Sequence, residues 1–170
     1  MLLALTGLAQ ARDVYMQPSD FVQQAFNGDP PGPDSLWLDK DLRSGIRGIL
    51  GHNLGVLRLR FWERDGRTAW ILEEKGKEKP ITTGIVVNRG EIEQVKVLIY
   101  RESRGWEVRY PFFTDQFKGT ELNNHRRLDK RIDGISGATL SVNALERLAR
   151  LALYLHDKTR EGDYKGLAKQ

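Results

Sequence analysis

Val56–Glu74, VLRLRFWERDGRTAWILEE, alternates apolar and polar residues on both sides of Asp65-Gly66. Successive side chains of a strand point to opposite faces, so a period of two marks a strand with one buried face. Asp-Gly between two such runs is the strongest short-range hairpin signal, because a tight two-residue turn needs left-handed backbone. Thr83–Glu102, TGIVVNRGEIEQVKVLIYRE, repeats the arrangement. Asn88-Arg89-Gly90 stands at its turn, and Ile92, Val95, Val97 and Ile99 lie in the returning strand. Two hairpins predict a four-stranded antiparallel sheet. Its apolar face needs a cover, and helices on either side of the sheet in sequence supply one. The fold class is α+β.

Outward from the hairpins, the period changes to three and four. On the N-terminal side, Pro18-Ser19-Asp20 followed by FVQQAF predicts a short helix capped by Ser19 or Asp20. Gly28–Asp34 is dense in breakers and predicts a loop. In SLWLDKDLRSGIRGILG, Leu38, Leu42, Ile46, Ile49 and Leu50 recur at helical spacing and predict an amphipathic helix ended by Gly51. On the C-terminal side, Ser141 to His156 places Val142, Leu145, Leu148, Ala149, Ala152 and Leu155 on one stripe. The expected organisation is an opening segment 1–11, a helical segment 12–54 packing on the domain, a domain over 55–158, and a polar tail 159–170.

The segment most suggestive of chemistry is Asp133-Gly134-Ile135-Ser136-Gly137-Ala138-Thr139-Leu140-Ser141, which runs straight into the last helix. A glycine-rich loop that delivers hydroxyls to a helix start suits a phosphate, because free N–H groups and the positive end of the helix dipole point at it. The plainer alternative is that Thr139 or Ser141 only caps the helix. Upstream, Phe112, Phe113, Gln116 and Phe117 form a cluster on what reads as a helical turn, with core packing as its ordinary meaning.

D-G-I-S-G-A-T-L-S resembles the D-x-x-S-G-A-T-x-S/T signature of the FMN-binding domain family. That family includes subunits of the sodium-pumping NADH:quinone oxidoreductase and of the Rnf electron-transport complex. Its further pattern, a Glu-x-x-Gly turn and then F-x-x-Q-F-x-G, is met by Glu102, Gly105, Phe113, Gln116, Phe117 and Gly119. The resemblance covers about residues 80 to 157. It implies an FMN cofactor, joined by a flavin transferase through a phosphodiester to Thr139. Gly137 and Ala138 would keep the backbone beside Thr139 clear, and Gly134 would let the loop turn. Asp133 would brace the loop through backbone N–H groups or be read by the transferase. Ser136 and Ser141 complete the loop. Leu140 and the aromatic residues between Trp106 and Phe117 would wall the flavin ring, with Glu102, Gly105, Phe113 and Gln116 beside it. The implied role is electron transfer with a membrane reductase or cytochrome as partner.

Lys+Arg number 27 against Asp+Glu 23, a formal +4 with the charges interspersed. No basic stripe of the kind nucleic acid requires is present. His125–Arg131 is the nearest approach to one, and reads as a solvated flank of the flavin loop or a docking face for an acidic redox partner. The absence of cysteine rules out disulfides and thiolate chemistry. Gly134-Ile135-Ser136-Gly137-Ala138 departs from the G-x-S-x-G of serine hydrolases at its fifth position and follows a charged run unfit for a central strand. His52, His125 and His156 are too scattered for a metal site. The opening MLLALTGLAQA reads either as a short N-terminal helix or, since it closes on Ala9-Gln10-Ala11, as the remnant of an export signal. With the resemblance, the second reading places the protein in the periplasm or on the outer face of a bacterial inner membrane, without a transmembrane helix of its own. Two other readings of the loop stay open, a non-covalent FMN-binding module and a structural partner of a membrane redox complex.

Overall fold

A computed structural model describes residues 13–161. The N-terminal residues read as an export remnant lie outside the described residues, as does the tail after 161. The element order is β1 (Asp13–Val14), α1 (Pro18–Ala25), β2 (Asp34–Trp37), α2 (Lys40–Leu50), β3 (Arg58–Arg64), β4 (Arg67–Lys75), β5 (Pro80–Asn88), β6 (Glu91–Tyr100), α3 (Pro111–Thr114) and α4 (Thr139–Arg160). Short 3-10 turns flank α3 at Trp106–Arg109 and Asp115–Phe117.

The two expected hairpins are present. Asp65 and Gly66 carry φ of 54° and 80°, and Arg89 and Gly90 carry 54° and 92°, left-handed at both turn positions as a two-residue hairpin demands. The hairpins join through the connection 76–79 into one antiparallel meander. The sheet has six strands rather than four, in the order β1-β6-β5-β4-β3-β2. The two additional strands close its edges: Asp13 and Val14 pair with Tyr100 and Ile99, and Asp34–Trp37 pairs with Phe61–Arg58. Runs of two and four residues are too short to show a period of two, so the sequence pattern passed over them.

One face of the sheet carries the main core. Phe61, Trp70, Leu72, Ile85 and Val95 are buried there with Ile46 of α2 and Leu145, Leu148, Ala152 and Leu155 of α4. Phe61 and Trp70 stack across β3 and β4 with ring centroids 4.9 Å apart. On the opposite face, Phe21, Val22, Ala25 and Phe26 around α1 pack on Ala69, Val86 and Leu98.

The helix ends differ in detail from their sequence signals. α1 begins at Pro18 with Gln17 at the cap position and no side-chain cap, so neither Ser19 nor Asp20 caps it. The rigid φ of proline suits the first helical position and takes over that role. α2 is capped by Asp39, whose carboxylate accepts the Leu42 N–H at 2.8 Å, and it ends at left-handed Gly51 as expected. α4 starts two residues earlier than its pattern implied and runs on to Arg160, a helix of 22 residues. Its expected stripe from Val142 to Leu155 is buried throughout.

Candidate functional site

Strands of a meander alternate in direction, so the 76–79 connection and the chain leaving β6 at Tyr100 emerge at the same end of the sheet. The start of α4 meets them there. Gly76–Lys79, Glu102–Gly105 and Gly137–Ser141 thus converge on one cleft of about 370 Å³, lined by Lys77, Glu78, Glu102, Arg104, Thr139 and Leu140 among others. A second hollow of about 770 Å³ shares Glu78, Glu102 and Ser103 with it and extends toward Tyr15, Trp106 and Arg109. Both lie in the range of ligand sites, about 300–1,000 Å³.

The loop before α4 is shaped by backbone and held from outside. Ala138 N–H donates to the Ile135 carbonyl at 3.0 Å, and Gly137 takes φ of 81°. The left-handed residue is therefore Gly137; Gly134, expected to make the tight turn, has ordinary backbone. Gln116 grips the start of the loop with both ends of its amide: its Oε1 accepts the Asp133 N–H at 2.7 Å and its Nε2 donates to the Asp133 carbonyl at 3.3 Å. The Asp133 carboxylate does not perform the bracing expected of it. It is exposed, and Arg131 lies 3.9 Å away.

α4 has Ala138 at its cap position with no side-chain cap hydrogen bond. Neither Thr139 nor Ser141 serves as the cap. The first-turn N–H groups, which have no intrahelical carbonyl partner, open onto the cleft together with the positive end of a long helix. Thr139 is exposed as the first helical residue, and Leu140 beside it is 49% exposed. Ser141, in contrast, is buried, with its hydroxyl 2.8 Å from that of Tyr100, which in turn donates to the Arg104 carbonyl at 2.5 Å.

Gly105 explains the spacing of Glu102 and Gly105. Its φ is 84°, and a Cβ there would lie 2.8 Å from the Tyr100 hydroxyl and 2.9 Å from the Ser141 hydroxyl. The chain after β6 can pass this close to the α4 start only without a side chain. Glu102 organises the other wall. Its Oε1 accepts N–H groups of Glu78 at 2.6 Å and Lys79 at 3.0 Å, across the connection between the hairpins. Partial burial alone would raise the Glu102 carboxyl, but these backbone donors outweigh it and hold the group below its ordinary value.

The aromatic cluster divides. Phe113 and Phe117 are fully buried and meet edge to face at 5.6 Å, so they are core residues beneath the loop and do not wall the cleft. Gln116 likewise acts on the Asp133 backbone and is absent from the cleft lining. Of the aromatic positions expected around the flavin, Trp106 stands at the site, 41% exposed and lining the second hollow. Tyr15, Glu78, Lys79 and Arg109 join it without a sequence signal of their own. The Arg109 guanidinium lies over the rings of Tyr15 and Tyr110, at 4.2 and 4.7 Å from their centroids.

The buried ionisable groups His156 and Glu74 are structural. His156 is buried, 2.8 Å from the Thr68 hydroxyl and accepting the Gly90 N–H at Nε2. The buried Glu74 carboxylate accepts from His52 and Arg147. Among the described residues no group of His, Asp or Glu is arranged to hold a metal ion.

An uncapped helix start, an exposed hydroxyl and a neighbouring cleft fit a phosphate-bearing ligand. Residues 76–154, which contain all three converging segments, match the family described as FMN-binding domain. No curated protein matches the chain. The domain built around this cleft belongs to the FMN-binding domain family, and its cofactor is FMN.

Proposed function

We propose that the protein is an electron carrier with a single FMN joined covalently to Thr139. It would work in a chain at the outer face of a bacterial inner membrane, after export. The observation that carries the covalent reading is the placement of Thr139: an exposed hydroxyl on the first residue of an uncapped helix, facing the cleft. In the coupling, the transferase would take a flavin dinucleotide as donor: the Thr139 oxygen bonds to the flavin-side phosphorus, the pyrophosphate bond breaks, and the nucleoside monophosphate leaves with the Thr139 proton, so that the protein gains one FMN less one water. The phosphodiester keeps one negative charge, which the N–H groups of the α4 start can hold without a lysine.

FMN bound here supplies reversible electron transfer, and the protein tunes its potential through polarity and hydrogen bonding. Leu140 and Trp106, both exposed at the cleft and the adjoining hollow, would flank the ring. Glu102 would keep the 76–79 wall in place. Modification requires a flavin transferase, for which the exposed Asp133 and the loop 133–139 are the accessible recognition element. A membrane reductase or cytochrome would be the redox partner. The association with such a partner is proposed to be peripheral; among the described residues no helix is long and apolar enough to cross a membrane.

Co-expression with a flavin transferase in the periplasm tests the attachment. The expected result is a fluorescent protein band that survives denaturing electrophoresis and is lost in Thr139→Ala. Fluorescence that washes out on denaturation would make the FMN a non-covalent ligand. A colourless native protein would remove the carrier role altogether.

A further inference from the structure

The corner of the sheet where β2 meets the start of β3 ends in exposed apolar side chains. Leu57 is 71% exposed, Val56 43% and Trp37 39%. Scattered apolar residues on a surface are ordinary, but three at one corner call for an occupant. The corner is held firmly. Leu38 N–H donates to the Leu57 carbonyl at 3.0 Å. Arg43 ties the two segments together, donating to the Leu38 carbonyl at 2.9 Å and the Val56 carbonyl at 3.0 Å.

Cations flank this tip. Arg58 pairs with Trp37 across the β2–β3 ladder, its guanidinium 5.4 Å from the Trp37 ring centroid. Arg60 projects on the same face two residues on, exposed and without an ion pair among the described residues. Lys40 is exposed at the start of α2. Of the nearby acids, Asp39 is engaged as the α2 cap and Asp41 faces solvent.

We propose that this corner inserts into the interfacial layer of an anionic lipid bilayer, with Trp37, Val56 and Leu57 entering and Arg58 and Arg60 meeting the lipid phosphates. A protruding apolar tip rimmed by arginines suits a lipid interface. Tryptophan settles at headgroup depth, and arginine keeps its charge at the phosphates while its stem lies on apolar surface. A stable protein partner needs about 800 Å² from each side, far more than three side chains at a corner provide. The register adds a functional reason. Arg58 lies at the end of β3 that faces the C-terminal end of β4, and so at the same end of the sheet as the 76–79 wall of the flavin cleft. Docking by this corner turns the cleft toward the membrane. The inference deepens the peripheral placement proposed above, but flavin loading does not enter it.

Co-sedimentation with vesicles tests the surface. The protein should sediment with vesicles rich in phosphatidylglycerol and not with pure phosphatidylcholine, and added salt should weaken the binding. Val56→Ser with Leu57→Ser should weaken binding roughly tenfold or more, from the lost apolar burial, with the unfolding midpoint unchanged. Anionic vesicles should blue-shift the tryptophan emission, and Trp37→Phe should remove that shift. Equal binding by the wild type and the double variant would overturn the proposal. So would failure of the wild type to bind anionic vesicles, which would leave the corner to a protein partner. Neither failure would touch covalent attachment at Thr139, which is read separately by flavin fluorescence.

Discussion

Gly105 and Gln116 set the position of the loop before α4 without touching the Thr139 hydroxyl. At Gly105 a side chain meets two penalties, a left-handed backbone and overlap with the Tyr100 and Ser141 hydroxyls. Gly105→Ala should destabilise the fold by about 2–4 kcal/mol, seen as a lower urea midpoint, and should reduce flavin incorporation with it. Gln116→Ala removes both bonds to the Asp133 backbone and should cost about 1–2 kcal/mol. Flavin should still couple to this variant, only more slowly, because the Thr139 hydroxyl is untouched. An unchanged coupling rate would show that the loop needs no bracing from Gln116. The motif containing Thr139 was visible in the sequence as seven small residues in order. The role of Gln116 was not, because a pair of bonds to a backbone 17 residues away leaves no local pattern. Phe113 proves to be a core residue, and the sequence hides this for a related reason: a buried aromatic and a ligand wall share one residue type, and only the fold decides between them.

α4 joins the loop 133–138 to the far end of the sheet, where His156 is locked between Thr68 and Gly90. Gly90 N–H donates to Nε2, so the neutral ring carries its proton on Nδ1 and donates it to the Thr68 hydroxyl. Burial, aided by the charge of Arg160, lowers His156 from its ordinary value to about 4. A histidine depressed in the fold binds its proton more readily when unfolded. Its contribution to stability is therefore complete above about pH 6.5 and is lost as pH falls toward about 4, an effect of roughly 2–3 kcal/mol. Urea unfolding between pH 7.5 and 4.5 should show this loss, and His156→Gln should flatten it. The helix itself was legible in the sequence from its apolar stripe. Its true start at Thr139 was not, because Gly-Ala-Thr-Leu carries no cap signal. The missing cap is what leaves the N–H groups of the first turn open to a phosphate.

The whole molecule is a meander whose ends return to one site. The hairpin turns and alternation made the four central strands readable. The edge strands were hidden by their brevity, and with β1 went the neighbouring Tyr15, which the fold carries to the hollow beside Trp106. The Glu102 brace follows from the same topology, since alternate turns of a meander share an end. Glu102→Ala should free the 76–79 wall and shift the potential of bound FMN while leaving its covalent attachment intact. An unchanged potential would separate that wall from the flavin. The central claim rests on one oxygen atom, and intact mass spectrometry of protein purified after co-expression with a flavin transferase reads it directly. The wild type should gain one FMN less one water, and Thr139→Ala should gain nothing. An unmodified wild-type mass, or the same gain in both proteins, would contradict the claim.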